Sequence, residues 1–287
     1  MFTRVAPAVE FMWKSLYHEV AEMNYEVVAI SNTGLLCSAI LLVLAGGISA
    51  LLQLGLLKSL LWGAFRCVVQ LSLIGYALAW IFAVDRPELV IAIIALMCAI
   101  AAQTATRRTP NVPSFPALIG FVSLAASTYL VMVIVAGVII RAEPWYTARI
   151  VVPISGMILG NAVNGIALSI DRLYSEVKLR KYEVEALLSL GATPWEAVRD
   201  CVREAIRAGM TPVINSLMVV GLVSIPGMMT GQILGGADPG EAAKYQIVVM
   251  LMITAASAIG SMLLVGLTFR RLFTDDDALK PELLGSL

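Results

Sequence analysis

The sequence has little charge and almost no histidine. Of its 287 residues, 14% are charged and only one is histidine, whereas soluble domains are close to one-quarter charged. A globule that is 59% hydrophobic would lack the polar side chains needed to cover its own surface. The 20 basic residues equal the 20 acidic residues, so no excess of positive charge indicates a nucleic-acid partner. These shortages exclude an ordinary soluble globule and argue against binding of DNA or RNA.

Several chemical motifs are also missing. The four cysteines show no CxxC or paired spacing, so neither a disulfide framework nor a zinc site is indicated. No G-x-x-x-x-G-K-[ST] loop occurs, and we expect no nucleotide or other cofactor to be bound by this chain. The apolar runs contain no HExxH, serine–histidine or paired-carboxylate arrangement. An intramembrane enzyme is therefore not expected.

What the sequence does have is long apolar runs, each long enough to cross a bilayer. We expect an all-α membrane protein with about seven transmembrane helices and a cytoplasmic helix–turn–helix. The candidate spans are Val27–Leu54, Leu60–Val84, Leu89–Thr106, Ala117–Ile140, Tyr146–Ile170, Met210–Gln232 and Tyr245–Phe269. Lys and Arg are concentrated in the connections after the first, third and fifth spans and in the C-terminal tail. This distribution predicts that the N-terminus lies outside and the C-terminus in the cytoplasm.

The predicted domain organisation follows from these runs. Residues 1–26 have apolar side chains at intervals of three and four, which predicts an amphipathic helix on the membrane or against the bundle. We expect residues 27–271 to form the transmembrane domain, which includes a long hydrophilic loop at 171–209. Residues 272–287 form a cytoplasmic tail.

The loop at 171–209 contains the most informative pattern. Gly191 is suited to a helix C-terminus that needs a left-handed residue. Thr193, Pro194 and Glu196 provide an N-cap, a proline at the first helical position and an acidic first turn. The pattern predicts two short helices joined by a tight break. Such a rigid element can transmit force from a soluble motor protein to membrane helices, which a flexible loop cannot do.

The same loop resembles the EAA loop of ABC-importer-type permeases through Glu185, Ala186, Gly191, Ala192 and Thr193, with Pro212 downstream. In that family the helix of the loop docks into a cleft on the ATP-binding subunit. The resemblance implies an ATPase-coupling role for Glu185, Ala186, Leu190, Gly191, Ala192, Thr193, Pro194 and Trp195. An amphipathic linker with a turn is the alternative interpretation of this stretch.

Five further blocks are similar to the FetB-type iron-export permeases, to which plant aluminium-tolerance permeases are related. They are GAFRCVVQLSLIGYAL (63–78), VVPISGMILGNAV (151–163), LSLGATPWEA (188–197), GLVSIPGMMTGQILGGADP (221–239) and AAKYQIVVM (242–250). The resemblance implies a homodimer of permeases in the bacterial inner membrane. It also implies two copies of a separate ABC ATPase that binds ATP-Mg, and a role in iron export or tolerance of metal stress.

Two short segments repeat a Gly-Met-x-x-Gly pattern followed by an amide, GMILGN at 156–161 and GMMTGQ at 227–232. Their glycines either open the backbone beside a cavity or allow close helix packing. Their methionines either fill gaps or offer sulfur to a soft ion. The amides within apolar spans either bond between helices or line a pathway. The candidate pathway residues are Arg66, Gln70, Met157, Asn161, Asn164, Asn215, Met228, Met229 and Gln232.

Arg66 is a charged side chain well inside a predicted span, whereas Arg149 lies near the start of its span, and Arg66 shares a helix face with Gln70. It either snorkels to the interface, contacts an anionic or chelated substrate, or pins a dimer. No Asp, Glu or His lies in a predicted span, and a bare ferrous ion is costly to desolvate without such ligands. We therefore expect any transported metal to move as a complex or through a transient wet pathway; the metal ligands themselves are not identified.

Other functions remain open at this stage. An ABC permease for a small organic or anionic solute fits the same pattern. An ion-coupled secondary transporter would need protonatable groups at the middle of the membrane. A membrane scaffold or sensor would leave the break at Gly191–Pro194 without a role.

Overall fold

The computed structural model describes residues 31–84, 86–109, 112, 117–141 and 143–280. The amphipathic helix predicted for residues 1–26 lies outside these residues. The described chain is helical throughout, apart from turns and two isolated β-bridges. Its helices are α1 (Asn32–Leu51), α2 (Leu57–Val84), α3 (Pro87–Arg108), α4 (Ala117–Ile134), α5 (Ala148–Leu179), α6 (Lys181–Ser189), α7 (Pro194–Val219), α8 (Gly227–Leu234) and α9 (Pro239–Thr268).

Five helical segments are long and apolar enough to cross a membrane. They are Leu57–Val84, Pro87–Arg108, Ala117–Ile139, Ala148–Leu179 and Pro239–Leu272. The third includes a π-helical turn after α4, and the last includes a 3₁₀ turn after α9. The prediction of an all-α membrane protein is confirmed at this level. The first predicted span corresponds to α1, whose apolar part Cys37–Leu51 is shorter.

The sixth predicted span, Met210–Gln232, is not one continuous helix, so the prediction of a single transmembrane helix there is wrong. Helix α7 ends at Val219, and α8 begins only at Gly227. Gly221 has φ of +82°, a left-handed conformation in which glycine is unstrained. Pro226 then removes a backbone donor and disfavours helical geometry at the residue before it. The uniform hydrophobicity of this run concealed both interruptions.

The loop predicted at 171–209 is almost entirely helical. Helix α5 continues through its first part to Leu179, and its 32 residues give a length of about 48 Å. The chain breaks at Arg180, α6 follows, and α7 then runs without interruption into the next apolar segment. The first predicted helix is therefore divided at Arg180, and the second is not short but extends beyond the loop to Val219.

The chain divides into two compact units. The first comprises α1, α2 as far as Gly75, and residues 225–246. The second comprises residues 76–224 and the chain from Ile247 onwards. The large buried side chains of the core belong to the second unit and include Ile94, Leu124, Met132, Ile158, Ile166, Ile170, Leu173, Leu264 and Leu272.

Helix α5 lies at the centre of the second unit and packs against α3, α4 and α7. Its contact with α7 is closest where Gly165 faces Gly209. A Cβ added to Gly209 would lie 2.5 Å from the carbonyl oxygen of Gly165, in addition to striking the Ser169 hydroxyl. The two backbones therefore approach so closely that only glycine fits at the crossing.

The chain after α9 turns back on the same core. Leu272, Phe273 and Leu279 are buried. The backbone N–H of Thr274 donates to the carbonyl of Ala278 at 2.8 Å, and that of Lys280 donates to the carbonyl of Leu272 at 2.8 Å. The first part of the predicted tail is thus packed against the second unit.

Candidate functional site

The candidate coupling residues form one compact element, residues 181–195, which we call the knob. It consists of α6, a tight turn and the first residues of α7. At the turn, Leu190 N donates to Ala186 O and Gly191 N donates to Leu188 O, each at 3.0 Å. Gly191 has φ of +91°, and no other atom would lie within 4 Å of a Cβ added there. Glycine is required at this position because of the backbone conformation alone.

The start of α7 is held by a reciprocal cap. The backbone N–H and the hydroxyl of Thr193 donate to a Glu196 carboxylate oxygen at 2.8 and 2.7 Å. In return the backbone N–H of Glu196 donates to the Thr193 hydroxyl at 3.4 Å. These bonds, the backbone bond first, hold the pKa of the Glu196 carboxyl below its usual value. With Pro194 at the first helical position, the turn is rigid, as the sequence predicted.

Large apolar side chains are exposed on the outer surface of the knob, together with the polar Glu183 and Ser189. Leu190 is 85% exposed and Tyr182 is 80% exposed, and Leu179 and Trp195 are also exposed beside them. On the inner side Val184, Val198 and Cys201 are buried. Large apolar side chains on a hydrophilic element are typical of a contact with another protein. The knob is therefore anchored on one side and available for contact on the other.

An ion-pair cluster secures the junction between α5 and α6. Glu176 is only 3% exposed, and its carboxylate lies 2.6 Å from an Arg172 nitrogen and 3.1 Å from Arg180 Nε. Arg180 is the residue at which the two helices meet. The cluster therefore fixes the direction in which α6 leaves α5. Beside it, burial raises the pKa of the Cys201 thiol, which keeps that thiol protonated and unreactive at neutral pH.

A ring contact joins the knob to the end of α9. The rings of Trp195 and Phe269 are 5.3 Å apart between centroids at an interplanar angle of 64°, an edge-to-face geometry favourable for aromatic pairs. Phe269 begins the 3₁₀ turn that follows α9. The knob thus contacts the last apolar helix directly, in addition to its chain connections to α5 and α7.

Sequence reasoning missed three of these groups. Glu176 has an arginine four residues before it and another four residues after it, a spacing that indicates ion pairs along a helix and was available as a signal. Phe269 and Val184 gave no such signal, because their roles depend on which helices meet in space.

The candidate pathway residues of the second unit lie on two helices. On α5, Asn161 donates from Nδ2 to the carbonyl of Met157 in its own helix at 2.9 Å. The side-chain oxygen of Asn164 accepts a hydrogen bond from the Arg108 guanidinium on α3. Asn215 lies exposed on α7. The structure thus gives Asn164 an inter-helix bond and gives Asn161 only a bond within its helix.

The candidates of the first unit form two local groups. Arg66 and Gln70 are both exposed one turn apart on α2. Met228, Met229 and Gln232 are half-buried along α8.

The two Gly-Met-x-x-Gly segments have different structures. Residues 156–161 lie within α5, whereas residues 227–232 open the short helix α8. Cβ atoms added to Gly160, Gly227 or Gly231 would meet nothing within 4 Å. In the described chain close packing against other parts of the chain occurs instead at Gly46, Gly165, Gly209 and Gly260. Among the repeated glycines only Gly156 has such a neighbour, Met97, at an ordinary contact distance of 3.4 Å.

Among the residues that the structure describes, no three His, Cys, Asp or Glu side chains lie close enough together to hold a metal ion.

Comparisons with known proteins agree with this architecture. A family model described as "Uncharacterised protein family (UPF0014)" matches residues 32–273. A UPF0014 membrane protein of Synechocystis sp. is 39% identical over 241 residues, covering 82% of this chain and 92% of the relative. The "Probable iron export permease protein FetB" of Escherichia coli is 35% identical over 245 residues, covering 85% and 93%.

A plant protein is similar over an even larger share of the chain. The "Protein ALUMINUM SENSITIVE 3" of Arabidopsis thaliana is 32% identical over 281 residues, covering 97% of this chain and 100% of the relative. No solved structure matches.

Proposed function

The chain belongs to the UPF0014 family of membrane proteins, and from this membership we propose that it is the permease subunit of an ATP-driven transporter of the ABC type. It is a multi-pass membrane protein that is similar in sequence to the FetB protein of Escherichia coli. One relative is named as a probable iron export permease and another for aluminium sensitivity. These names support a cargo that contains a metal, and we propose that its export contributes to tolerance of metal or oxidative stress.

The observation that carries the proposal is the rigid knob with its exposed apolar side chains. A motor can displace membrane helices only through an element that does not bend, and the turn at Gly191–Pro194 is fixed by backbone bonds, a cap and a proline. The exposed Leu190 and Tyr182 provide apolar surface for a cleft on the motor. In this proposal two copies of a separate ABC ATPase, which bind ATP-Mg, contact the two knobs of a permease homodimer.

Seven crossings complete the proposed topology in the bacterial inner membrane. The five long segments are joined by α1 as the first crossing and by residues 210–232 as an interrupted sixth. The N-terminus lies outside, and the knob and C-terminus lie in the cytoplasm. In whole cells a cysteine at Ala192 is expected to resist a membrane-impermeant maleimide and to react once the cells are opened.

The decisive experiment compares two glycines in the purified permease and ATPase complex. Gly191 and Gly236 have φ of +91° and +86°, and each donates its N–H to the carbonyl three residues earlier at 3.0 Å. Proline is incompatible with both positions because its φ is fixed at about −65° and it has no backbone N–H to donate. We expect Gly191→Pro to abolish stimulation of the ATPase and Gly236→Pro to preserve it.

The proposal fails if no ABC ATPase co-purifies with the wild-type permease, or if the two proline variants stimulate the ATPase equally. Transport into proteoliposomes without ATP would instead indicate a secondary transporter.

The cargo is proposed to cross as a complex and not as a bare ion. The described chain offers no cluster of carboxylates and imidazoles, and its exposed Arg66 and Gln70 on α2 suit an anionic or chelated solute. ATP-dependent flux of iron, other metals and small organic anions tests this directly. Tight binding of Fe(II) to the permease without its ATPase would contradict it, and flux of organic anions alone would favour the second candidate, a permease for an anionic solute.

A further inference from the structure

A groove lies between α3 and α4 in the second unit. It has a volume of about 640 Å³ and is lined by Ala99, Ile100, Ala102, Gln103, Thr106, Arg107, Ala117 and Phe121. Three of the lining residues are alanines, whose short side chains leave the space open. Ile100 and Phe121 provide larger apolar walls. This volume is typical of a site for a small organic molecule or part of a lipid.

The groove opens on an apolar surface formed by two helices long enough to cross a membrane. Leu96, Ile100, Leu118 and Val122 are exposed on the same two helices, and both helices belong to segments that can cross the membrane. A polar solute in transit would not be expected to follow such walls. An acyl chain would, because the groove continues the apolar surface on either side.

The two arginines at the end of α3 have different contacts. Arg108 donates to Asn164 on α5 and so serves the packing of the protein. Arg107 lines the groove and is exposed. Among the described residues no acidic side chain lies within ion-pair distance of Arg107. The groove therefore has one cationic end that this part of the chain leaves without a counterion.

The dimensions also suit a lipid. From Ala99 to Arg107 the groove extends over eight helical steps, about 12 Å, which is less than half of the ~30 Å hydrocarbon core. It can receive the glycerol region and the upper part of one acyl chain, with a headgroup phosphate at Arg107. Gln103, which lies one turn before Arg107, is placed to hydrogen-bond to an ester oxygen.

We propose that this groove binds one anionic phospholipid, with its phosphate on Arg107 and an acyl chain against Ile100 and Phe121. Basic residues at the end of a span attract anionic headgroups, and the apolar walls favour a lipid over a free anion. The proposal depends on the membrane placement of α3 and α4 and not on any ATPase partner.

The experiment uses the purified full-length chain and native mass spectrometry. The delipidated protein is offered phosphatidylglycerol and phosphatidylcholine with identical acyl chains, and retained lipid is counted per protomer. We expect roughly a fivefold preference for phosphatidylglycerol from one arginine near the headgroup. Arg107→Gln should remove the preference, and Ala99→Trp, which fills the groove from an exposed position, should lower retention of both lipids.

Two matched variants control for charge and bulk. Arg149→Gln removes an exposed arginine at the start of α5, and Ala126→Trp adds the same bulk at an exposed alanine of α4 outside the groove. Both should retain lipid as the wild type does, and an excess of soluble glycerol phosphate should not displace it.

The proposal is overturned if the wild type retains both lipids equally, or if Arg107→Gln and Ala99→Trp behave like their controls. Displacement by glycerol phosphate would indicate a site for a free anion instead. Loss of the dimer in Ala99→Trp with unchanged lipid retention would show that the groove receives a second copy of the chain.

Discussion

At the scale of single residues, the reciprocal cap between Thr193 and Glu196 determines where α7 begins. The sequence predicted this cap from residue type and spacing alone, and the structure contains both of its hydrogen bonds. Local rules sufficed because every atom involved lies within four consecutive residues. The same holds for Gly191, whose left-handed backbone was predicted from its place after a helix.

Thr193→Ala is expected to destabilise the knob by about 1 kcal/mol, the usual cost of losing an N-cap. A matched control is Thr211→Ala on the same helix, because the Thr211 hydroxyl donates only to the Arg207 carbonyl in its own helix at 2.8 Å. Thermal unfolding of the purified permease measures both. Equal effects of the two substitutions would show that the cap contributes nothing specific.

The same cap should respond to acid. The pKa of the Glu196 carboxyl is lowered from its usual 4.5 because the Thr193 backbone N–H and hydroxyl donate to its ionised form. A lowered pKa in the folded state stabilises the fold above the unfolded pKa, and this contribution is lost as pH falls through the lowered value. Unfolding midpoints of wild type and Glu196→Gln should therefore differ at neutral pH and converge as pH falls through the lowered pKa. A difference that grows on acidification would contradict the assignment.

At the scale of elements, the sequence predicted the existence of the helices better than their extents. Helix α5 continues past its apolar stretch through the buried Glu176. The carboxylate can be buried there because it forms ion pairs with Arg172 and Arg180 on either side. The sixth span was predicted as continuous because hydrophobicity does not reveal a backbone turn such as that at Gly221. The packing of α5 on α7 had no signal in either helix alone, since neither glycine of the crossing belongs to a repeated motif.

The close approach of α5 and α7 predicts that a side chain added at Gly209 destabilises the fold. Gly209→Ala would place a methyl group 2.5 Å from the Gly165 carbonyl oxygen, and such overpacking is expected to cost about 1–3 kcal/mol. Gly160→Ala on α5 is the control, because nothing would lie within 4 Å of its added methyl group and alanine favours a helix by up to about 1 kcal/mol. Thermal unfolding should show opposite signs for the two variants, and destabilisation by both would refute the account of the crossing.

At the scale of the whole molecule, membership of a membrane-protein family and an all-helical architecture were both accessible from composition and motif blocks. The contact between Trp195 and Phe269 was not, because 74 positions of numbering separate the two rings and neither carries a motif for the other. Its place suggests that displacement of the knob reaches α9 as well as α5 and α7.

In the proposed complex we therefore expect Phe269→Ala to reduce transport more than it reduces ATP hydrolysis. The ATPase would still bind the knob, but the contact between Trp195 and Phe269 that conveys its motion to α9 would be lost. Trp145→Ala is the control, because the Trp145 ring packs only on the adjacent Tyr146 among the described aromatic pairs. Paired measurements of flux and hydrolysis in proteoliposomes decide the matter. A proportional loss of both rates would mean that Phe269 serves folding or docking alone.

The length of α5 has a further consequence for the kind of motor that can work with this protein. If α5, about 48 Å long, crosses a hydrocarbon layer of ~30 Å along the membrane normal, as in the proposed topology, its cytoplasmic end extends about 18 Å beyond that layer and past the lipid headgroups. A motor that grips there does not have to touch the bilayer. In the proposed function the motor can therefore be a water-soluble cytosolic enzyme that has no membrane anchor.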